Sequence, residues 1–286
     1  PGLMSVTMGI IVHTGASVES DAEDGISHFI EHMMFKGTKK RSAFRISDDM
    51  DAIGAQMNAY TSKDLTCYYA KSTTGHAGEA FEILSDLFLN STFPDEEIAR
   101  EKGVIVEEIN MNDDTPDDLC LDMLSKALNG ERGDGRNNLG PRSNVKSFTR
   151  SDIQKYMSRR YTPENIVISM AGNIEPEYAE ELAARYFAEL PAANTEKIIV
   201  EVENPAKSLF RKKEIEQIHV GYAFPSVKRY DPLFDATQIL NSVLGGSMSS
   251  RLFQKVREEL GLAYTVYSYL SAYDEAGSLV VYSGVN

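Results

Sequence analysis

Two histidines four apart, with a glutamate directly before the second, stand at His28-Phe29-Ile30-Glu31-His32. On a helix, residues i and i+4 lie on one face with Cβ atoms about 5–6 Å apart, so both imidazoles can reach one ion. Glu31, three residues after His28, stays on that side of the helix. The pattern H-x-x-E-H reverses the zinc-peptidase signature H-E-x-x-H and supplies two nitrogen ligands and a carboxylate base. Catalytic zinc usually takes three protein ligands and keeps a position for water, so one ligand must come from elsewhere. His13, His76 and His219 have no paired spacing and read as ordinary strand or helix-surface histidines. A carboxylate must therefore complete the set.

Candidates come from an acidic helix. Proline is tolerated and acids are favoured in a first turn, so Pro94 followed by Asp95, Glu96 and Glu97 predicts a helix running through Glu101 and Glu108 to about Met111. Glu101 and Glu108 are seven apart, two turns, and share a face, whereas Glu107 sits about 100° away from Glu108. Val104 and Ile105 between them predict partial burial. A buried carboxylate without a cation is costly, so an inward-facing glutamate pair implies a metal or a base. The competing reading is a solvated acidic face, since residues 91–130 hold eleven acids against three bases. If that face lines a substrate chamber, it concentrates basic peptides.

The elements that must position these groups follow from periodicity. Residues 5–12 are β-branched at strand length and end at Thr14-Gly15-Ala16-Ser17. Asp24 and Ser27 are candidate N-caps for the motif helix, which runs to about Lys36 and stops at Gly37. A second helix begins after Ser42 and ends at Gly54. Residues 55–62 and 65–72 read as a hairpin. An amphipathic helix follows with Ala77, Ala80, Phe81, Leu84, Leu87 and Phe88 at helical spacing, and Thr115-Pro116 opens another that ends near Gly130. Between Gly130 and Pro141 almost nothing is apolar, so the reading is an exposed loop, the first place to expect disorder or nicking. A helix at 151–160, a strand at 166–170 and a helix from Glu175 to Leu190 lead to a linker, Pro191 to Pro205, within which Ile198-Ile199-Val200 could form a short strand.

After the linker the order repeats: a strand at 217–224, a helix from Asp235 to Leu244, a helix from Ser249 to Leu260, and strands at 262–271 and 277–284. The order strand, helix, helix, hairpin matches residues 5–72 and implies an internal duplication. Thr237-Gln238-Ile239-Leu240-Asn241 lies where the first copy has H-x-x-E-H, so only one copy carries metal chemistry. The expected fold class is α+β: two homologous α/β-sandwich-like domains, each a mostly antiparallel sheet covered by helices. Residues 1–195 form the catalytic zinc-binding domain and residues 205–286 the first part of a second, metal-free one, incomplete because the first copy continues well past its hairpin.

With 286 residues, 42% of them hydrophobic, the chain can bury one large core or two ordinary ones. A formal charge of −14 argues against a nucleic-acid partner, which needs clustered Lys and Arg. Cys67 and Cys120 are too few for a disulfide framework and point to a reducing compartment, and no run approaches the ~20 apolar residues of a membrane helix. The expected location is cytoplasmic. Pro1-Gly2-Leu3 already lies in a strand-like run, so part of the N-terminus is expected to be missing.

These residues resemble the inverzincin metallopeptidases of the pitrilysin and insulinase group, in particular the shorter processing-peptidase branch with its bacterial-type zinc proteases. That family pairs H-x-x-E-H with a glutamate ligand about 75 residues on, preceded by a second glutamate seven residues earlier. Here positions 32 and 108 are 76 apart and positions 101 and 108 seven apart. The resemblance implies one zinc per chain held by His28, His32 and Glu108, with Glu31 as general base and Glu101 supporting the site. It implies that Asn58 and Ala59, in Gly54-Ala55-Gln56-Met57-Asn58-Ala59-Tyr60-Thr61, meet substrate backbone. It also implies that Arg257 and Tyr264, an R-x6-Y pair following Gly245-Gly246-Ser247-Met248, act on the substrate carbonyl. The segment Asn129 to Gly135 departs from the family pattern. The implied activity is hydrolysis of peptides or extended, unfolded protein segments, by a homodimer or by pairing with a related subunit. The alternative is a non-catalytic peptide-binding or scaffold subunit of the same fold, inactive because the chain is incomplete.

Overall fold

The computed structural model describes residues 2–190 and 207–286, so the expected linker and its short strand lie outside the described residues. The described chain divides into two compact units, residues 2–107 with 138–190 and residues 108–137 with 207–286.

The first unit is built on β1 (Ser5–Val12), whose Val6, Met8, Ile10 and Val12 alternate along the strand and are completely buried. β1 pairs antiparallel with β3 (Thr66–Thr73) on one side and with β4 (Ile166–Gly172) on the other, and β2 (Gln56–Thr61) adds to β3, giving the order β2-β3-β1-β4. Two helices bridge β1 to β2: α1 (Ile26–Met34) and α2 (Ala43–Ala52), the latter capped by Ser42, whose hydroxyl accepts from the Arg45 amide. α3 (Ala77–Asn90) buries Ala80, Phe81, Leu84 and Leu87, the stripe read from its periodicity. α4 (Asp95–Asp114) follows with three acids in its first turn. Phe29, Ile30, Met33 and Met34 of α1, Tyr68 of β3 and Phe81 of α3 are among the largest fully buried side chains.

The second unit contains α5 (Pro116–Asn129) and a sheet ordered β5-β7-β6, from β5 (Ile218–Pro225), β6 (Ala263–Ala272) and β7 (Gly277–Val285). α5 lies so close on the sheet that a Cβ at Gly221 would stand 3.0 Å from the Leu124 side chain. Between β5 and β6 come α9 (Phe234–Leu244) and a stretch of π-helix at Phe253–Glu259. The pairing β6-β7-β5 reproduces β2-β3-β1, so the second sheet repeats three of the four strands of the first. Every strand pairing within these two sheets is antiparallel. The chain is therefore α+β with two sheets and their helices, as expected. No helix among the described residues is long and apolar enough to cross a membrane.

Two local expectations are corrected. α1 is capped not by Asp24 or Ser27 but by Gly25, whose φ of 94° is open to glycine and strained for other residues. The segment 130–141 is not an exposed loop, because Gly133, Asp134, Gly135 and Arg136 are buried. Its polar groups find partners within the fold, the Asp134 carbonyl accepting from the Ser125 hydroxyl at 2.9 Å and Asn137 donating to Asp122. Glycine is required there, since a Cβ at Gly135 would lie 2.0 Å from the Gly130 carbonyl oxygen. The helix expected at 151–160 is present: a short α6 (Arg142–Ser147) precedes α7 (Arg150–Arg160), which opens on a reciprocal capping box between Thr149 and Asp152. α8 (Pro176–Phe187) closes the described part of the first unit.

Candidate metal centre

α1 is held in place before its histidines do anything. The buried Glu19 carboxylate accepts from the Gly25 amide at 2.7 Å and the Ser27 amide at 2.8 Å, satisfying donors that the helix leaves open at its N-terminus. A Cβ on Gly25 would come within 2.7 Å of the Leu139 carbonyl oxygen, so this turn also packs against residues 139–140. The Ser27 hydroxyl meets the Tyr156 phenol of α7 at 2.9 Å, and that phenol meets the Thr14 hydroxyl at 2.8 Å. Burial, aided by the nearby Glu19, keeps the Tyr156 phenol protonated by raising it above its ordinary value. Burial likewise raises the Glu19 carboxyl to about 7, against hydrogen bonds from Ser27 and Gly25 that lower it.

On the face presented by this helix, the His28 and His32 rings stand edge to face with centroids 4.5 Å apart. Glu108 joins them. One donor atom from each of His28, His32 and Glu108 lies within 4.8 Å of the others, the only such group among the described residues. The division between the two units falls inside α4, after Glu107, so Glu108 is carried on an unbroken helix rooted in the first unit.

The donor set suits zinc. Two imidazole nitrogens and a carboxylate oxygen are a familiar three-ligand set, and bonds of about 2.0–2.2 Å at tetrahedral angles put donors roughly 3.3–3.6 Å apart. Closing from within 4.8 Å needs a side-chain movement of little more than an ångström. Burial, followed by the charge of His32, lowers His28 to about 3, which keeps its imidazole neutral and able to ligate.

Glu101 lies one layer further out. Its Oε1 is 2.9 Å from His32 Nδ1 and its Oε2 is 2.6 Å from Lys36 Nζ. Burial alone would raise this carboxyl, but the hydrogen bonds from His32 and Lys36 outweigh it and hold the group below its ordinary value. An ionised Glu101 accepts from Nδ1–H, which leaves the lone pair of His32 on Nε2. Glu31, the remaining member of the motif, accepts from the Thr61 hydroxyl through Oε2 at 2.5 Å.

The structure thus brings together His28, His32 and Glu108, with Glu101 against His32, while Glu31 of the same helix meets Thr61. Asn58 and Ala59 lie on β2, an edge strand of its sheet, with the Asn58 side chain accepting from the Ala59 amide at 2.8 Å. Arg257 and Tyr264 belong to the second unit, where the guanidinium lies 4.6 Å from the centroid of the Tyr264 ring and 4.7 Å from that of Phe253. Tyr264 is 76% exposed. Glu19, Thr61, Tyr156 and Lys36 did not emerge from the sequence reading. Only Lys36 carries a usable signal, lying four residues after His32, where a motif helix running to about Lys36 would put both on one side. The Glu19 contacts span six and eight residues and the Tyr156 contact 129, and no local periodicity marks such distances.

Residues 2–142 match the family described as Insulinase (Peptidase family M16), and residues 147–286 match the one described as Peptidase M16 inactive domain. An uncharacterized zinc protease of Bacillus subtilis is 44% identical over 99% of this chain and 69% of its own length. One from Streptomyces coelicolor is 36% identical over 99% of this chain, which spans 64% of that relative. The crystal structure of a protease from Helicobacter pylori shares the fold with a TM-score of 0.92 at 20% identity, covering 99% of this chain and 70% of that one. A structure of a peptidase M16 inactive domain from Pseudomonas fluorescens superposes with a TM-score of 0.89 at 23% identity, covering 100% of this chain and 70% of that one.

Proposed function

Because the chain belongs to the insulinase (M16) peptidase family, we propose that it is a zinc endopeptidase acting on peptides or extended protein segments. The observation that carries this reading is the approach of His28, His32 and Glu108 to one another, with Glu31 preceding His32 in the chain. The name zinc protease borne by relatives supports it at the level of the family.

His28, His32 and Glu108 would hold one zinc ion per chain. Bound there, zinc supplies an acidified water, with a pKa near ~7, and polarises the scissile carbonyl. Glu31 takes a proton from the attacking water and later delivers it to the departing amine nitrogen, so a single carboxylate acts first as base and then as acid. Glu101 keeps His32 in the required tautomer and orientation through Nδ1, and Lys36 balances its charge. Tyr264, with Arg257 against its ring, donates to the oxyanion that forms on the substrate carbonyl. Substrate adds as a strand along the free edge of β2 at Asn58 and Ala59, a mode in which backbone hydrogen bonds give affinity with little sequence preference. Residues 1–195 act as the catalytic domain, and residues 205–286 belong to a second domain that serves it without metal. A homodimer, or a related partner subunit, completes the assembly, and the cytoplasm is the proposed compartment.

Metal analysis and a peptide-library digest of the full chain test the reading together. Zinc near one per chain, with cleavage abolished by a chelator and restored by zinc, is the expected result. Cleavage that survives removal of the metal would sink it.

A further inference from the structure

Thr61 is the last residue of β2 and is tied down on several sides. Its backbone pairs with Thr66 of β3. Its carbonyl accepts from Asn138 Nδ2 at 3.0 Å. Thr66, fully buried, donates its own hydroxyl to the Thr14 carbonyl at 2.9 Å, so the partner strand is anchored too. With its backbone held, Thr61 directs its hydroxyl at Glu31 and donates to Oε2 at 2.5 Å.

Glu31 has reason to need that contact. A glutamate has three side-chain torsions, and a proton acceptor gains its rate advantage only when held close to the reacting geometry. Near it lie Tyr68 and Tyr161, whose phenols meet each other at 3.0 Å. Burial, then their mutual contact and the charge of Glu31, push Tyr68 well above its ordinary value, so this surface stays neutral. Thr61 also belongs to the same strand as Asn58 and Ala59, two residues beyond the latter.

The geometry points to Thr61 as the positioning residue of Glu31, linking the substrate-facing edge of β2 to the group that moves the proton. This rests on Glu31 being the general base. No proton leaves Thr61. When Glu31 is protonated on one oxygen, the other still accepts from the threonine hydroxyl, so the contact survives both halves of the proton's journey.

The test compares Thr61→Val, Thr61→Ser, Glu31→Gln and the Thr61→Val/Glu31→Gln double variant of the full chain. Zinc per chain and kcat and KM for one extended fluorogenic peptide are measured on each. Thr61→Val keeps the branched shape of the side chain and removes the hydroxyl. It should lower kcat by about 10–100-fold with KM within about 2-fold and zinc content unchanged. Thr61→Ser should recover kcat to within about 3-fold, and Thr61→Val should cost nothing further in the Glu31→Gln background. A second readout needs no activity: in urea unfolding of chelator-treated protein, the losses of Thr61→Val and Glu31→Ala should be less than additive in the Thr61→Val/Glu31→Ala double variant, since each removes one end of the same hydrogen bond. Unchanged kcat in Thr61→Val beside a crippled Glu31→Gln overturns the positioning role while leaving the base in place. An equal kcat loss in both backgrounds, failure of serine to rescue, or strictly additive stabilities also overturn it. A Glu31→Gln protein at the wild-type rate, or a wild-type chain that hydrolyses nothing, instead removes the base reading, and the role of Thr61 with it.

Discussion

The two sheets are assembled in the same order, yet the helix that follows the first strand has a different fate in each unit. In α1 seven of nine residues are buried, while α9 buries none. α1 has a carboxylate cap from Glu19, a lateral hydrogen bond from Tyr156 through Ser27, and Glu101 with Lys36 beyond its second histidine. α9 has Leu233 at its N-cap position and no side-chain cap there. In the stretch that takes the place of the histidine motif, the Thr237 hydroxyl bonds back to the Leu233 carbonyl and Asn241 accepts from Ser268 of β6 at 2.7 Å. Sharing a topology therefore does not make a site. The metal helix is distinguished by what immobilises it as much as by its ligands.

Removing a ligand should have the largest effect on that contrast. Glu108→Gln is expected to bring zinc content below about a tenth of an equivalent and hydrolysis down by at least ~10³-fold, leaving α1 as metal-free as α9. Atomic absorption on dialysed protein and a peptide assay measure both, and unchanged zinc would move the third ligand elsewhere. Glu31→Gln separates chemistry from binding, with kcat expected to fall by about 10²–10⁴-fold while zinc stays at wild-type content. Supporting residues come next. Glu101→Gln should weaken zinc binding by roughly 10–100-fold in a competition titration against a chelator, without emptying the site at saturating metal.

The cap on α1 predicts a pH dependence that α9 has no counterpart for. Burial lifts the Glu19 carboxyl to about 7 in the fold from an ordinary value of 4.5, so the folded chain binds this proton more tightly than the unfolded one. The stabilisation is complete below that lower value and is lost as pH rises through about 7, on the order of 3 kcal/mol across the window. Urea midpoints of chelator-treated protein should fall over this range, and Glu19→Gln should flatten the decline. The smallest effect is an expected absence of change. Writing the motif into the second copy with Thr237→His, Leu240→Glu and Asn241→His should add no tight zinc, because no glutamate ligand or cap accompanies it. A second equivalent bound as tightly as the first would show that the ligand pattern alone suffices.

Much of this organisation was legible in the chain. Alternation in residues 5–12 and the stripe from Ala77 to Phe88 reported strand and helix because burial follows the period of each element. Ser42 and Pro94 announced helix starts through their local chemistry. The segment 130–141 misled for a physical reason: a polar, glycine-rich composition describes a solvated loop equally well as a tight buried turn whose polar groups are satisfied by distant partners. The α1 cap was missed similarly, since Glu19 reaches its amides across a loop rather than at capping-box spacing.

The amino-acid sequence by itself determined the donor types, their helical phase and the fact that one copy of the repeat has them. Those properties are set by side-chain identity and the 3.6-residue turn. Only the tertiary structure decided that Glu108 meets His28 and His32, that Glu101 addresses Nδ1 of His32, and that Thr61 holds Glu31. Each of these contacts joins residues 30 to 80 positions apart in the chain, and such distances close only when sheet register and helix packing are both in place.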